Sequence, residues 1–240
     1  RTPLYGYRFG ESPQTTFAVT EARAALRWSP GERFVRTALD RISRGTPYPE
    51  VWVQRTRGLD GVLGGRFDFR RWDVQVRQRL RVRTWGTFSG QLQGGFAEGE
   101  LPYPVLYNVP GSFKAASVVT HNSFETMRYN EFAADRYLFL FLSHNFGKLY
   151  EGSAFVRPVL EVAHNAGWGG LRRPDAHQGD FRALTQGYYE AGAYLTDLVV
   201  VPLPGIKVGL GLGVFARYGP YAGETFGDNA VYKLAVRFHP

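Results

Sequence analysis

The sequence predicts an all-β protein, an antiparallel transmembrane β-barrel of about 10–12 strands, and three observations carry that prediction. Apolar and polar residues alternate with period two along nearly the whole chain, whereas helical periodicity is scarce. Aromatic residues reach 15% and glycines number 29, a combination typical of barrels with many turns and with aromatic residues at the membrane interfaces. The polar positions of the strands carry arginine far more often than lysine.

The candidate strands follow one another along the chain as alternating segments. They are residues 17–28, 34–43, 51–56, 70–83, 87–97, 136–146, 155–165, 187–200, 206–219 and 230–238. Segments 4–9 and 113–120 raise the number from about ten to about twelve. Short connections alternate with longer ones such as 98–133 and 166–186, an asymmetry that favours ten strands. Within the irregular middle, the stretch HNSFETMRYNEFAADR is compatible with one helical turn.

Composition excludes several classes of protein. The net charge of +8 is spread over strand-like segments instead of forming a basic tail or helix, so we expect no nucleic-acid partner. No apolar run approaches the ~18 residues of a membrane helix. The chain lacks cysteine, and His164 and His177 are the only histidines moderately close in sequence, so we expect no metal and no cofactor.

The stretch RRWDVQVRQRLRVRTWG shows which way such strands face. Arginines alternate with Trp72, Val74, Val76, Leu80 and Val82, broken only by Gln78. In a membrane barrel the apolar side meets lipid, and arginine in the lumen pairs with carboxylates through its planar fork. We therefore predict a lumen charge network whose arginines have partners such as Glu21, Glu161 and Glu190. Its members are Glu21, Arg23, Asp73, Arg77, Arg79, Arg81, Arg83, Glu161, Glu190, Lys207, Arg217, Lys233 and Arg237.

The role of this network depends on the width of the lumen. A barrel of about ten strands is nearly filled by its own side chains, so we expect a plugged lumen in preference to an open, anion-selective pore. The glycines of GLGLG, residues 209–213, lie on the face of Lys207 and Arg217. They would leave room for long side chains from neighbouring strands.

The last strand carries a C-terminal barrel signal. Tyr232, Leu234, Val236 and Phe238 share one face, with Lys233 and Arg237 on the other. This resembles the closing strand of outer-membrane barrels, which the barrel assembly machinery recognises during biogenesis. The chain departs from that pattern by ending in His-Pro after the aromatic residue.

Several longer stretches resemble one family. GELPYPVL, FETMRYNEFAADRYLFLFLSHNFGK, QGYYEAGAYLTDL and GIKVGLGLGVF are similar to Gram-negative outer-membrane barrels of unknown function that follow a carboxypeptidase-regulatory-like domain. A more distant resemblance links the chain to surface-antigen and outer-membrane assembly barrels. The family motif falls on Phe124, Met127, Glu131, Phe132, Asp135 and Arg136, with Tyr189 and Glu190 later. The resemblance implies that residues 1–240 form one barrel domain, the C-terminal part of a longer chain whose upstream strands would enlarge the barrel.

Three His-Asn pairs raise an enzymatic alternative. Outer-membrane phospholipases use Ser, His and Asn on a barrel wall, and SHN at 143–145 contains all three types. Neighbours on a strand point to opposite faces, however, so His144 would need a partner from an adjacent strand. For Glu131, Asp135 and Arg136, a lumen or loop salt-bridge network that fixes the turn into the barrel is favoured over a functional site shared with the family, whose mechanism is unassigned.

The sequence thus predicts a non-enzymatic integral protein of the bacterial outer membrane, serving as an anchor or as a component of envelope transport or assembly. Its expected partners are outer-membrane lipid and lipopolysaccharide, the barrel assembly machinery and other envelope proteins. A phospholipase-like barrel enzyme and a soluble β-sandwich binding module are the alternatives.

Overall fold

The protein is built almost entirely from antiparallel β-strands, as the sequence predicts. The structure, a computed structural model, describes residues 5–9, 12–36, 41–113, 118–119, 122–150, 153, 155–179, 181–203 and 206–239. No helix among these residues is long and apolar enough to cross a membrane.

The strands and short helices run in the following order. They are β1 (Tyr5–Phe9), β2 (Ser12–Gln14), β3 (Glu21–Trp28), β4 (Phe34–Arg36), β5 (Arg41–Ser43), β6 (Glu50–Gly58), β7 (Phe69–Val82), β8 (Gly86–Gly99), a 3-10 helix (Tyr103–Val105), β9 (Tyr107–Asn108), β10 (Gly111–Phe113), β11 (Phe124–Arg128), β12 (Phe132–Ala134), β13 (Arg136–Lys148), β14 (Val159–Gly170), a second 3-10 helix (Pro174–Ala176), β15 (His177–Gly179), β16 (Arg182–Ala183), β17 (Tyr188–Leu203), β18 (Ile206–Tyr218), α1 (Phe226–Asn229) and β19 (Ala230–His239).

Nine of these strands form one sheet in the order β3-β6-β7-β8-β13-β14-β17-β18-β19, counted over the described residues. Each strand pairs antiparallel with its neighbours in this order, so the sheet is a meander. The tightest turn, between β7 and β8, requires Gly86. Its φ is +98°, and a Cβ there would strike the carbonyl of Asn145.

The strand count differs from the sequence prediction in two places. Segment 34–43 is not a wall strand, because β4 and β5 pair with each other as a separate short hairpin. β1 pairs with β15 and β2 in a small sheet of its own. The predicted strand 113–120 lies largely outside the described residues. Within the described ranges, β3 and β19 are the two edges of the nine-stranded sheet, and a single parallel bridge joins Val118 to Leu234 of β19.

We call the segment between β8 and β13, residues 100–135, the insert, and its described residues lie against one face of the sheet. Its β11 replaces the helical turn that the sequence suggested, because four consecutive residues, Phe124 to Met127, are buried and none faces water. β10 pairs parallel with β11, and β12 pairs with β9 and β16. The insert therefore has its own small β-structure.

The sheet curls around the insert. Tyr107 of the insert donates from its hydroxyl to the carbonyls of Trp72 and Phe96, at 3.2 Å each. Glu125 of the insert contacts Lys233 of β19, which lies six places from β7 in the sheet. Strands that far apart can reach one segment only if the sheet is strongly curved. We call the face toward the insert the inner face and the opposite one the outer face.

Candidate functional site

The first contact between insert and wall is a carboxylate clamp at Glu190. This residue of β17 is fully buried on the inner face. Its two oxygens accept hydrogen bonds from the backbone N–H groups of Glu125 and Thr126, at 2.7 and 2.9 Å. The Thr126 hydroxyl donates at 2.6 Å and the Asn165 amide at 2.7 Å. Four donors thus satisfy a buried carboxylate, which would otherwise be costly to desolvate.

The second contact is a buried ion pair. Lys233 of β19 donates to the carboxylate of Glu125, and the two side chains are 0% and 1% exposed. Ser112 completes the cluster: its hydroxyl lies 2.8 Å from Glu125 Oε2 and 2.9 Å from Lys233 Nζ. The pair therefore joins the insert to the last strand of the sheet.

Aromatic packing surrounds these polar contacts. The Phe124 ring lies 5.2 to 5.6 Å from the rings of Phe139, Phe141 and Tyr188. Gly167 makes this approach possible, since a Cβ there would lie 2.7 Å from the Phe124 ring. Phe132 and Met127 are fully buried in the same cluster. Three of the six family-motif residues are therefore apolar contacts of the insert with the wall.

The other three motif residues lie at the end of the insert. Asp135 is buried and accepts from the backbone N–H of Arg172 at 2.8 Å and from its Nε at 3.2 Å. Arg136 reaches Asp135 only at 4.0 Å, and Glu131 accepts from the N–H of Arg128 at 3.0 Å. These contacts connect the insert to the 171–187 loop and cap its own turn.

Strand register places the predicted lumen residues on the inner face. Arg77 and Arg79 of β7 are paired with Gln91 and Ser89, which pair in turn with Phe141 and Ser143. Arg81 continues this face, and Arg83 lies just beyond the strand. By the same register the inner face carries the remaining members, which are Glu21, Arg23, Asp73, Glu161, Glu190, Lys207, Arg217, Lys233 and Arg237.

The partners within this network differ from those we expected for the arginines at 77–83. Glu21 pairs with Arg23 on its own strand, Glu161 lies 3.7 Å from Arg237, and Glu190 binds the insert. These carboxylates engage nearer donors. Arg77 instead donates from Nε to Gln91 at 3.1 Å and reaches Glu50 at 3.9 Å.

The remaining predicted features are distributed as follows. Register puts Tyr232, Leu234, Val236 and Phe238 together on the outer face of β19. At GLGLG, a Cβ on Gly209 would collide with the carboxylate of Asp197. These glycines therefore do make room for side chains of a neighbouring strand.

Among the described residues, His144 of β13 and His164 of β14 lie diagonally across neighbouring strands, whereas His177 lies on β15, outside the nine-stranded sheet. His144 contacts the Trp85 carbonyl at 2.7 Å and His164 the Tyr218 hydroxyl at 2.6 Å, both on the outer face. Ser143 and Asn145 are on the inner face, so SHN does not form a catalytic group by itself. His177 packs on Tyr7 with ring centroids 5.2 Å apart. Burial lowers the pKa of His177 to about 4, and nearby Arg173 adds to this effect.

No three His, Cys, Asp or Glu side chains of the described ranges come together in a way that would hold a metal ion. What the inner face does contain is a cavity of about 780 Å³ beside the insert. Charged and polar side chains of the sheet and of the insert line it, among them Arg77, Arg79, Glu125, Glu161, Thr196 and Arg237. The site is thus a curved wall, a docked insert and an open polar cavity.

A family model matches residues 6–154, and its description is "Family of unknown function (DUF5686) C-terminal domain". The match covers more than half of the 240 residues. The chain belongs to this family. No curated protein and no solved structure matches the chain. The matched part of this DUF5686 C-terminal domain includes β11, β12 and all six motif residues, whereas Glu190 and Lys233 lie outside it.

Sequence reasoning missed the partners that hold the insert. Glu125 stands beside a motif residue and Lys233 was assigned to the lumen, but their pairing joins positions 108 residues apart. Asn165 was noted only as part of a His-Asn pair. The available signal was the acidic residue Glu125 between the apolar residues Phe124 and Met127, because a carboxylate that is buried with such neighbours requires a partner.

Proposed function

We propose that this protein is an integral β-barrel of the bacterial outer membrane, without enzymatic activity, whose lumen is closed by the insert. It serves as an anchor or as a component of envelope transport or assembly. The observation that supports this proposal is the outer face, where large apolar side chains stay exposed along the wall. Examples are Leu26, Val74, Leu92, Leu138, Leu212 and Leu234. Water disfavours such a surface, while lipid is a suitable solvent for it.

Aromatic residues flank this apolar surface. At the end near the long connections, Trp168, Tyr189 and Tyr218 form a continuous cluster, with ring centroids 5.7 and 5.6 Å apart. Near the opposite end lie Trp28 and Phe238, both exposed. Aromatic side chains concentrate at both membrane interfaces in outer-membrane barrels, so this arrangement favours insertion.

The height of the apolar surface also fits a membrane. From Trp72 to Val82 the chain advances ten residues, about 33 Å along the strand at ~3.3 Å per residue. With a tilt of about 40°, the height is about 25 Å, close to the apolar band of outer-membrane barrels. Closing the barrel at about 10–12 strands would take further strands between β3 and β19. We propose that a longer chain supplies them, together with an upstream carboxypeptidase-regulatory-like domain.

In this proposal the partners are outer-membrane lipid and lipopolysaccharide on the outer face, the barrel assembly machinery at β19, and other envelope proteins. The relationship to surface-antigen and outer-membrane assembly barrels belongs to the same proposal. It rests on the resemblance of the strands and of the closing segment.

The test is an arginine placed in the middle of the outer face. Leu212 is the central residue of β18 and is 61% exposed. If it faces the bilayer midplane, Leu212→Arg should destabilise the protein by about 2–4 kcal/mol in lipid vesicles. Leu63→Arg is the matched control, because Leu63 is 93% exposed on a loop.

Urea unfolding of both variants in lipid vesicles, with membrane fractionation of cells expressing them, provides the measurements. In water, an exposed surface substitution changes stability by only about 0.5 kcal/mol. Equal stability of the two variants, or recovery of the wild type as a monodisperse particle without detergent, would overturn the membrane proposal.

A further inference from the structure

The inner-face cavity has the size and lining of a ligand site. At about 780 Å³ it falls within the range of pockets that bind small molecules, roughly 300–1,000 Å³. Arg79 on β7 and Thr196 on β17, four places apart in the sheet, both line it. The cavity belongs to the curved inner face, so the inference does not depend on the outer face being in lipid.

The cavity's carboxylates are already engaged. Glu161 accepts from the Asn145 amide at 2.9 Å and lies 3.7 Å from Arg237. Glu125 is held by Lys233 and Ser112. Neither carboxylate is left to attract a cation from solution.

The cations on the opposite wall are not matched in this way. Arg79 makes no ion pair with any residue that the structure describes, and Arg77 reaches Glu50 only at 3.9 Å. Both side chains are exposed to the open cavity, so a solute can reach their guanidinium groups. Two guanidinium groups two residues apart on one strand face bind an anionic oxygen group well, because each offers several N–H donors.

A buried hydroxyl gives an independent indication of a ligand. Thr196 lines the cavity, is 3% exposed, and its Oγ1 has no hydrogen-bond partner. It lies in a β-bulge between Leu195 and Val199, where Asp197 has a φ of +58°. Bulges of this kind occur beside functional sites, where they redirect a side chain. An unpartnered buried hydroxyl is costly unless something in the cavity pairs with it.

Further hydroxyl groups accompany it. Ser89 and Ser143 line the same cavity, and within the described chain neither hydroxyl takes part in a hydrogen bond. Apolar rings of Phe141 and Phe215 form other parts of the lining. The groups still able to bind are thus two guanidinium groups, several hydroxyls and apolar ring surface.

We propose that this cavity binds a small acidic saccharide, a sugar that carries a carboxylate or a phosphate. The anionic group pairs with Arg77 and Arg79, and the sugar hydroxyls pair with Thr196, Ser89 and Ser143. A saccharide alternates hydroxyl groups with apolar C–H faces, which matches hydroxyls interspersed with aromatic rings.

Calorimetric titration of the full-length protein in detergent micelles tests this proposal. The probes are glucuronic acid, glucose 6-phosphate, glucose and inorganic phosphate. We expect saturable binding of at least one acidic sugar, with the first two probes distinguishing a carboxylate from a phosphate ligand. Absence of binding by both acidic sugars up to about 10 mM overturns the proposal. If glucose binds as tightly as the acidic sugars, the proposal that the ligand needs an anionic group is wrong. If inorganic phosphate binds as tightly as they do, the proposal that the ligand is a saccharide is wrong.

Two variants locate the binding. Arg79→Ser should weaken it about ten- to hundredfold without unfolding the protein, because no carboxylate loses its partner. Arg83→Ser removes the same charge further along the chain, at a position that does not line the cavity. It should therefore leave the affinity for the acidic sugar unchanged.

Thr196→Val removes only the unpartnered hydroxyl. It should lower affinity about three- to tenfold while the urea midpoint stays equal or rises, an outcome that a purely structural threonine would not give. Unchanged affinity in both Arg79→Ser and Thr196→Val places the ligand elsewhere and refutes the assignment of this cavity.

Discussion

The buried pair between Lys233 and Glu125 offers the sharpest test of how the insert is held. Lys233→Met removes the ammonium group but keeps an unbranched side chain of similar length. The Glu125 carboxylate would then remain buried, and of the Lys233–Glu125–Ser112 cluster only the Ser112 hydroxyl would still donate to it. Breaking a fully buried pair in this way costs about 3–5 kcal/mol. That is a large share of a typical unfolding free energy of roughly 5–15 kcal/mol.

A double variant separates charge from shape. In Lys233→Met/Glu125→Gln the neutral amide replaces the carboxylate, so no unpaired charge is buried, and we expect more than half of the lost stability to return. Urea unfolding in lipid vesicles measures the free energies. Hydrogen exchange reports on the insert directly, and amides of Phe124–Arg128 should exchange faster in the single variant than those of β18.

Two results would refute this reasoning. If Lys233→Met changes the unfolding free energy by less than about 0.5 kcal/mol, the value of an ordinary surface change, the pair is not buried as described. If the double variant is as unstable as the single one, the methionine fits poorly and the loss does not come from an unpaired carboxylate.

Three further predictions concern pH, packing and conductance. Because the pKa of His177 is lowered in the folded protein, the unfolded chain protonates this histidine at a higher pH, and the unfolding free energy should fall as the pH drops from about 6.5 to 4. In urea titrations at several pH values, His177→Gln should make this fall smaller. Gly211→Ala should cost about 1–3 kcal/mol in the same assay, because its Cβ would collide with the Leu195 carbonyl. The outer-face control Gly94→Ala should cost less, because its Cβ would lie 3.3 Å from the Leu138 side chain and 3.4 Å from the Tyr137 carbonyl. In planar bilayers the wild type should lack large steady anion-selective steps, and Lys233→Met should increase brief openings; large steady steps in the wild type would contradict a closed lumen.

Much of the wall was predictable from the sequence, because strands such as β7, β8 and β18 have one apolar and one more polar face, although β13 also has Phe139 and Phe141 on its inner side. The alternation from Trp72 to Val82 identified β7 and its outward side chains correctly. The inner-face glycines at GLGLG were predicted for the right reason, since Gly209 makes room for Asp197. Period-two alternation is a local signal, and it is strong wherever two different environments meet at one strand.

The insert was not predictable in the same way. Phe124 to Met127 are buried on all sides, so they carry no alternation that would mark a strand. Segment 34–43 alternates but forms a hairpin with itself, which a local pattern cannot distinguish from a wall strand. The partners of Glu190 could not be inferred from charge, because two of its four donors are backbone N–H groups that every residue possesses.

The link between the insert and the last strand also bears on the order of assembly. Wall strands pair with neighbours in sequence, so each hairpin can form as soon as its two strands exist. Lys233 follows Glu125 by 108 residues and lies on β19, the last strand of the sheet. A chain that stops before β19 would therefore enclose a carboxylate without its cation. The ion pair makes burial of the insert conditional on the presence of β19, and copies that lack this strand would remain open to proteolysis.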